Sequence, residues 1–183
     1  MEMLVVDSRI EQFRQGIFSL RTNFGEFAQL MLQKDMGFFK ADDNSYDLKD
    51  AFGNRIEVKF SRAYKKGIPI MEDNVISLCT NSSTMVYSFS EAEKKSSNYD
   101  CNIQQLKPSC FDYLYYGVFF ADRIIIFKMQ SSEVLSFPGF SDKQHRGNIG
   151  EGQFHIKSSN YNQHKKYFVK AMTYEQLYNL FEG

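Results

Sequence analysis

The stretch SYDLKDAFGNRIEVKFSRAY, residues 45–64, sets the architecture that the rest of the chain must fit. Its second half alternates: Ile56, Val58 and Phe60 point one way, Glu57, Lys59 and Ser61 the other. That two-residue period belongs to a strand with one apolar face. DAFGN, residues 50–54, carries turn chemistry, and Tyr46 and Leu48 border a first, shorter strand. The reading is a β-hairpin over residues 45–61, centred near Phe52. In that register Asp47 falls opposite Glu57, and Lys59 projects from the same face. Directly opposed side chains have Cβ atoms about 4.5–5.5 Å apart.

Two carboxylates opposed on a sheet repel each other. One explanation is a solvated hairpin face; the other is an acid pair built to hold a cation. Mg²⁺ is held in this way, by one or two carboxylates together with waters and substrate phosphate oxygens. The carbonyl of Val58, between Glu57 and Lys59, is a third candidate ligand. Lys59 would then lie beside the attacking water, where positive charge favours hydroxide and stabilises a pentavalent phosphate. The expected chemistry is phosphodiester hydrolysis. The acid-x-Lys triplet by itself is common, and the chain also has it at Asp47–Lys49 and Glu93–Lys95. What distinguishes Glu57–Lys59 is the alternating strand around it and the acid across the turn.

Upstream, Asp7 or Ser8 can cap a helix carrying Ile10, Phe13, Ile17, Phe18 and Leu20 at helical spacing. Asn23 and Glu26 have capping-box spacing at the start of a second helix, which Gly37 ends. Downstream, NVISLC (74–79) reads as a strand and SEAEKKSSN (90–98) as a short helix capped by Ser90. FDYLYYGVFFADRIIIFKM (111–129) reads as two strands around ADR, apolar enough to be covered on both faces. SDKQHRGNIGEGQ (141–153) is polar and glycine-rich, hence a loop, and Thr173 with Gln176 opens a last helix through Leu177, Leu180 and Phe181. This order predicts an α/β (mixed α+β) fold: one domain over residues 1–183, with a central mixed β-sheet flanked by helices.

The pattern Asp47-x9-Glu57-Val58-Lys59, behind the helical NFGEFAQLML (23–32), resembles the PD-(D/E)XK nuclease superfamily, and within it the small type II restriction endonucleases. The likeness spans residues 23–64. It implies a restriction-endonuclease-like core, with Asp47 and Glu57 binding metal and Lys59 helping to activate water. Some members add a Glu from the preceding helix; Glu26 is the matching candidate, in competition with its capping role. Some carry a polar residue after the motif strands, for which Gln105 and Lys107 are candidates. Tyr46 stands where the pattern has proline, and Asp50, the other possible first acid, sits in the turn and faces away. An enzyme of this kind implies Mg²⁺, double-stranded DNA and a cognate DNA methyltransferase in the same system. Cutting both strands calls for two equivalent sites, so a homodimer facing a near-palindromic target is expected.

Composition adds where such a substrate would lie. The net charge is zero, but residues 41–54 hold four aspartates against one lysine, and residues 143–170 hold six basic residues against one acid. An acidic pocket with a separate basic surface suits a metal-using enzyme acting on a polyanion. In the segment 141–166, Lys143, Arg146, Lys157, Lys165 and Lys166 suit phosphates, while Gln144, Asn148, Gln153 and Asn160 could read base edges. His145 and His155 are contact candidates, and His164 falls in the same segment. Arg62, Lys65 and Lys66 lead out of the hairpin and could track a nucleic-acid backbone. Three cysteines without paired spacing, and a start with no basic segment before a long apolar run, predict free thiols and a cytoplasmic protein. Two alternatives stand beside the restriction reading: a repair or junction-resolving nuclease of the same fold, and a non-enzymatic DNA-binding domain.

Overall fold

The computed structural model describes residues 7–94, 96–143 and 150–183. Two helices come first, α1 (Ser8–Ser19) and α2 (Phe24–Met36). Asp7 caps α1 through its carboxylate, which accepts from the Arg9 N–H at 2.9 Å. Asn23 is the cap residue of α2 but makes no side-chain capping bond, so the expected box with Glu26 does not form. Gly37 ends α2 at φ +70°, a conformation open to glycine at little cost.

Strands β1 (Phe39–Lys40), β2 (Leu48–Lys49), β3 (Arg55–Arg62), β5 (Tyr113–Phe119), β6 (Arg123–Gln130) and β8 (Phe168–Thr173) form one sheet in the order β1-β2-β3-β5-β6-β8. Only β3 and β5 run parallel; every other pair is antiparallel. The sheet is therefore mixed, as expected. A crossover from β3 to β5 contains α3 (Val75–Thr80), α4 (Phe89–Ala92) and β4 (Asp100–Leu106). After β6 come α5 (Ser131–Ser136), β7 (Gly152–Lys157) and α6 (Tyr161–His164); α7 (Tyr174–Glu182) closes the chain. β4 and β7 pair antiparallel as a separate two-stranded ribbon.

Residue parity sorts the two faces of the large sheet. Phe119 lies against α2 through Phe24 and Phe27, Phe60 packs on Phe119, and Phe27 meets Phe181 of α7. On the opposite face, Tyr116 stacks on Phe127 and meets Phe154 of the ribbon. The near-continuous burial of β5 and β6 follows from being covered on both sides. Glu57 and Lys59 share parity with the ribbon side, so the ribbon stands over the catalytic candidates.

Several local expectations change. NVISLC is helical as α3, with Ile76 exposed; a six-residue apolar run is ambiguous by periodicity alone. The short helix begins two residues earlier than expected, capped by Ser88 in a box with Glu91, not by Ser90. The polar segment 141–166 is not a loop throughout, because alternating Phe154 and Ile156 bury one side of β7, and α6 follows. The Thr173–Gln176 box is present: Gln176 N–H donates to Thr173 Oγ1 at 3.1 Å, and Thr173 N–H to Gln176 Oε1 at 2.9 Å. Replacing Thr173 with alanine should cost about 1 kcal/mol. In a thermal melt that lowers Tm by roughly 2–4 °C for a chain of this size. Among the described residues, no helix is long and apolar enough to cross a membrane.

Candidate functional site

The hairpin closes through Asp50, whose Oδ1 accepts from the N–H groups of Phe52 and Asn54, with Gly53 at φ +80°. This turn fixes the register Leu48↔Ile56 and Lys49↔Arg55. Continued by one pair, it brings Asp47 abreast of Glu57. Asp50 is thus spent on the turn.

β2 stops at Leu48, so among the described residues the edge of β3 beyond Ile56 has no neighbouring strand on that side. Asp47 occupies this edge. Its Oδ2 accepts from the Val58 N–H at 2.8 Å, and its Oδ1 from Gln29 Nε2 at 2.8 Å. A strand residue presents its N–H and C=O to the same side. The Val58 carbonyl therefore faces the edge where Asp47 lies. Glu57 is only 8% exposed, and its Oε1 is 2.6 Å from Lys59 Nζ.

Asp47, Glu57 and Lys59 open into one cavity of about 270 Å³, whose far wall carries Gln105, Lys107 and Glu151. Those three come from the ends of the ribbon. Gln105 is the extra residue of a β-bulge between Gln104 and Leu106 and sits at φ +60°. Such a conformation costs a non-glycine residue on the order of 1 kcal/mol, and bulges are often found re-aiming side chains beside active sites. Lys107 Nζ is 3.2 Å from Glu151 Oε1. Gln105 and Lys107 were candidates on sequence grounds; Glu151 and Gln29 were not. Gln29 stands one turn beyond Glu26 on α2, whereas Glu26 is exposed and does not line the cavity.

Burial raises the carboxyl of Glu57 above the ordinary Glu range; Lys59 pulls it down, and the charge of Asp47 pushes it up again. The folded state then keeps this proton to higher pH than the unfolded chain does. Stability accordingly falls as pH climbs from the ordinary Glu range through the raised value, and the loss is complete above it. Glu57→Gln should therefore melt higher than the natural protein at neutral pH without metal. The two should converge below about pH 4, where the unfolded carboxyl is also protonated.

Among the described residues, no group of three or more acid, histidine or cysteine side chains is arranged to hold a metal alone. Two carboxylates and a strand-edge carbonyl make a partial shell, which is the kind Mg²⁺ completes with water and phosphate oxygens. The donor set is all oxygen and fits that ion.

The residues expected to contact DNA are divided by the fold. Arg62 is held on the helix side: its guanidinium lies 3.7 Å over the Phe24 ring and donates to the Leu20 carbonyl. Its even parity puts it with Ile56, Val58 and Phe60 on the helix side. Lys65 pairs with Glu91 at 3.6 Å. Lys66, His155 and Lys157 gather on Asp100, at 3.1, 2.5 and 3.4 Å. Gln153 Oε1 accepts from Asn102 Nδ2, and Lys143 is exposed. Gln144, His145, Arg146 and Asn148 lie outside the described residues. His164 is a core residue: it is fully buried, its Nδ1 is 3.1 Å from Tyr116 Oη, and burial lowers its pKa to about 4.

No family model matches this sequence, and no curated protein matches it either. The functional reading rests on the geometry.

Proposed function

We propose that this chain is a Mg²⁺-dependent endonuclease of double-stranded DNA, of the type II restriction kind, acting as a homodimer. The observation that carries the reading is the single cavity at the open edge of β3, which receives the Asp47 and Glu57 carboxylates and the Lys59 ammonium together.

Asp47, Glu57 and the Val58 carbonyl would hold the ion. Bound there, Mg²⁺ would supply positive charge to the phosphate and acidify water. Gln29 and the Val58 N–H fix the Asp47 carboxylate from two directions. Burial keeps Glu57 poorly solvated, so it gains more than an exposed acid would from a cation. Lys59 exchanges its contact with Glu57 for the attacking water and a phosphate oxygen. The water oxygen bonds to phosphorus and releases a proton to solvent, one P–O ester bond breaks, and the departing oxygen takes up a proton from solvent. Gln105 and Lys107 stand opposite, in reach of a phosphate entering the cavity.

A structural ion pair is the competing reading, favoured by the 2.6 Å contact between Lys59 and Glu57. Incubating methylation-free plasmid with the protein, with and without Mg²⁺, separates them. Discrete bands that require Mg²⁺ support the restriction reading. A smear, or cutting confined to branched duplexes, favours a repair or junction-resolving nuclease. Intact DNA under all conditions returns Glu57 and Lys59 to a structural role.

A further inference from the structure

The β4–β7 ribbon buries one face; on the other, Gln104 is exposed and Asp100, Asn102, Gln153, His155 and Lys157 are half-buried. Cys101, Ile103, Phe154 and Ile156 point inward and are at most 1% exposed. The outward residues face each other in register: Asp100 with Lys157, Asn102 with His155, Gln104 with Gln153. A solvated ribbon would commonly carry alternating charges or threonines there. Here the middle is three amides in contact: Asn102 Nδ2 donates to Gln104 Oε1 at 3.2 Å and to Gln153 Oε1 at 3.0 Å. Among the described residues, Asn102 Oδ1 is buried and has no hydrogen-bond partner, so Asn102 supports its neighbours through Nδ2 alone.

The ends of the ribbon differ from its middle. At one end Lys66, Lys157 and His155 converge on Asp100; at the other, Lys107 and Gln105 rim the cavity that holds Asp47 and Glu57. Lysines thus bracket an amide centre, Lys66 and Lys157 at one end and Lys107 at the other, the layout in which phosphate contacts position a protein and side-chain amides read bases. The major groove of B-DNA admits a two-stranded ribbon, and Asn and Gln suit the N6/N7 edge of adenine. A seven-residue strand spans about 20 Å, or about six base-pair steps.

We propose that the outer face of the β4–β7 ribbon reads base edges in the major groove of duplex DNA, with Gln104 and Gln153 as the reading side chains and Asn102 holding both amides in place. The inference rests on the duplex-cleaving reading of the adjoining cavity, and it adds which element faces the bases and from which groove. Gln105 and Lys107 connect the two functions, because the strand that reads also delivers them to the site of cleavage. Asp100 serves as the hub that orients Lys66, Lys157 and His155 toward flanking phosphates.

The test uses a pool of duplexes with random centres, incubated with the natural protein in Ca²⁺, followed by selection of bound DNA and sequencing. Plasmid cleavage in Mg²⁺ is scored separately. The natural protein should enrich an adenine-containing motif. Gln104→Ala/Gln153→Ala should bind the unselected pool within about threefold of the natural protein, because phosphate contacts carry most non-specific affinity. Its enrichment should fall roughly 10-fold or more, since a bidentate amide–adenine pair is worth about 1–3 kcal/mol. Methylation interference on the enriched duplex needs only the natural protein: N6-methyladenine in the motif, which puts a methyl group in the major groove, should weaken binding, and dimethyl sulfate methylation at adenine N3 should not. Unchanged enrichment in the variant, or interference confined to adenine N3 in the minor groove, overturns the proposal. Plasmid cutting without any enriched motif also overturns it and leaves the nuclease reading standing. Enrichment lost in the variant but without cutting supports the ribbon and removes the nuclease.

Discussion

Lys59→Ala protein is expected to fold, to bind duplex DNA and to lose cleavage by roughly 10²–10³-fold or more, the usual cost of deleting one group that stabilises transition-state charge. The side chain is about one-quarter exposed and packs no core position, so its loss leaves the sheet intact. It does leave Glu57 buried without its cation. Stranding a buried charge is expensive, but Glu57 can relieve the cost by taking up a proton, a step its raised carboxyl already favours. The variant should therefore melt modestly below the natural protein near neutral pH and approach it in acid. Cleavage must be measured at saturating DNA, where a fall in rate with unchanged affinity marks a transition-state role. Full activity in the alanine variant would remove Lys59 from the mechanism. Asp47→Asn is a useful companion with a different side effect. Its amide nitrogen would meet either the Val58 N–H or Gln29, a donor facing a donor, unless Gln29 turns its own amide over.

The largest effect on stability should come from Gly117→Ala. Gly117 lies in β5, the strand between β3 and β6. A Cβ there would stand 2.2 Å from the Ile125 carbonyl oxygen and 2.5 Å from Cε1 of Phe60. The first atom belongs to the backbone of the neighbouring strand and cannot move without opening the sheet. The second belongs to a ring wedged against Phe119. Overpacking of a core typically costs about 1–3 kcal/mol, and a clash with backbone belongs at or beyond the top of that range. At roughly 2–4 °C per kcal/mol, Tm should fall by about 10 °C or the protein should fail to accumulate folded. A melt within about 2 °C of the natural protein would mean that the β5–β6 pairing is not as described.

The two predictions bear on parts of the molecule that the sequence reveals unequally. The hairpin register was legible because DAFGN fixes the turn, and parity then does the rest: Asp47 abreast of Glu57, Lys59 alongside. The same parity places Arg62 with the apolar residues on the helix side, against Phe24; its position in a basic run concealed this. β5 and β6 were legible as long apolar strands. β4 was not, because Asn102, Gln104 and Gln105 dilute its alternation and the bulge at Gln105 breaks the period without a glycine to mark it. Gln29 and Glu151 reach the site through helix packing and ribbon pairing, which no local pattern encodes. His164 was grouped with the polar segment by its neighbours in sequence, yet the aromatic rings around it make it a core residue.

The most direct measurement is anomalous scattering from crystals of the protein with duplex DNA and Mn²⁺ in place of Mg²⁺. The account predicts a peak about 2.1 Å from oxygens of both Asp47 and Glu57, the distance typical of ions of this class, with the Val58 carbonyl in the same shell. A well-occupied complex with no anomalous peak between those two carboxylates would contradict it.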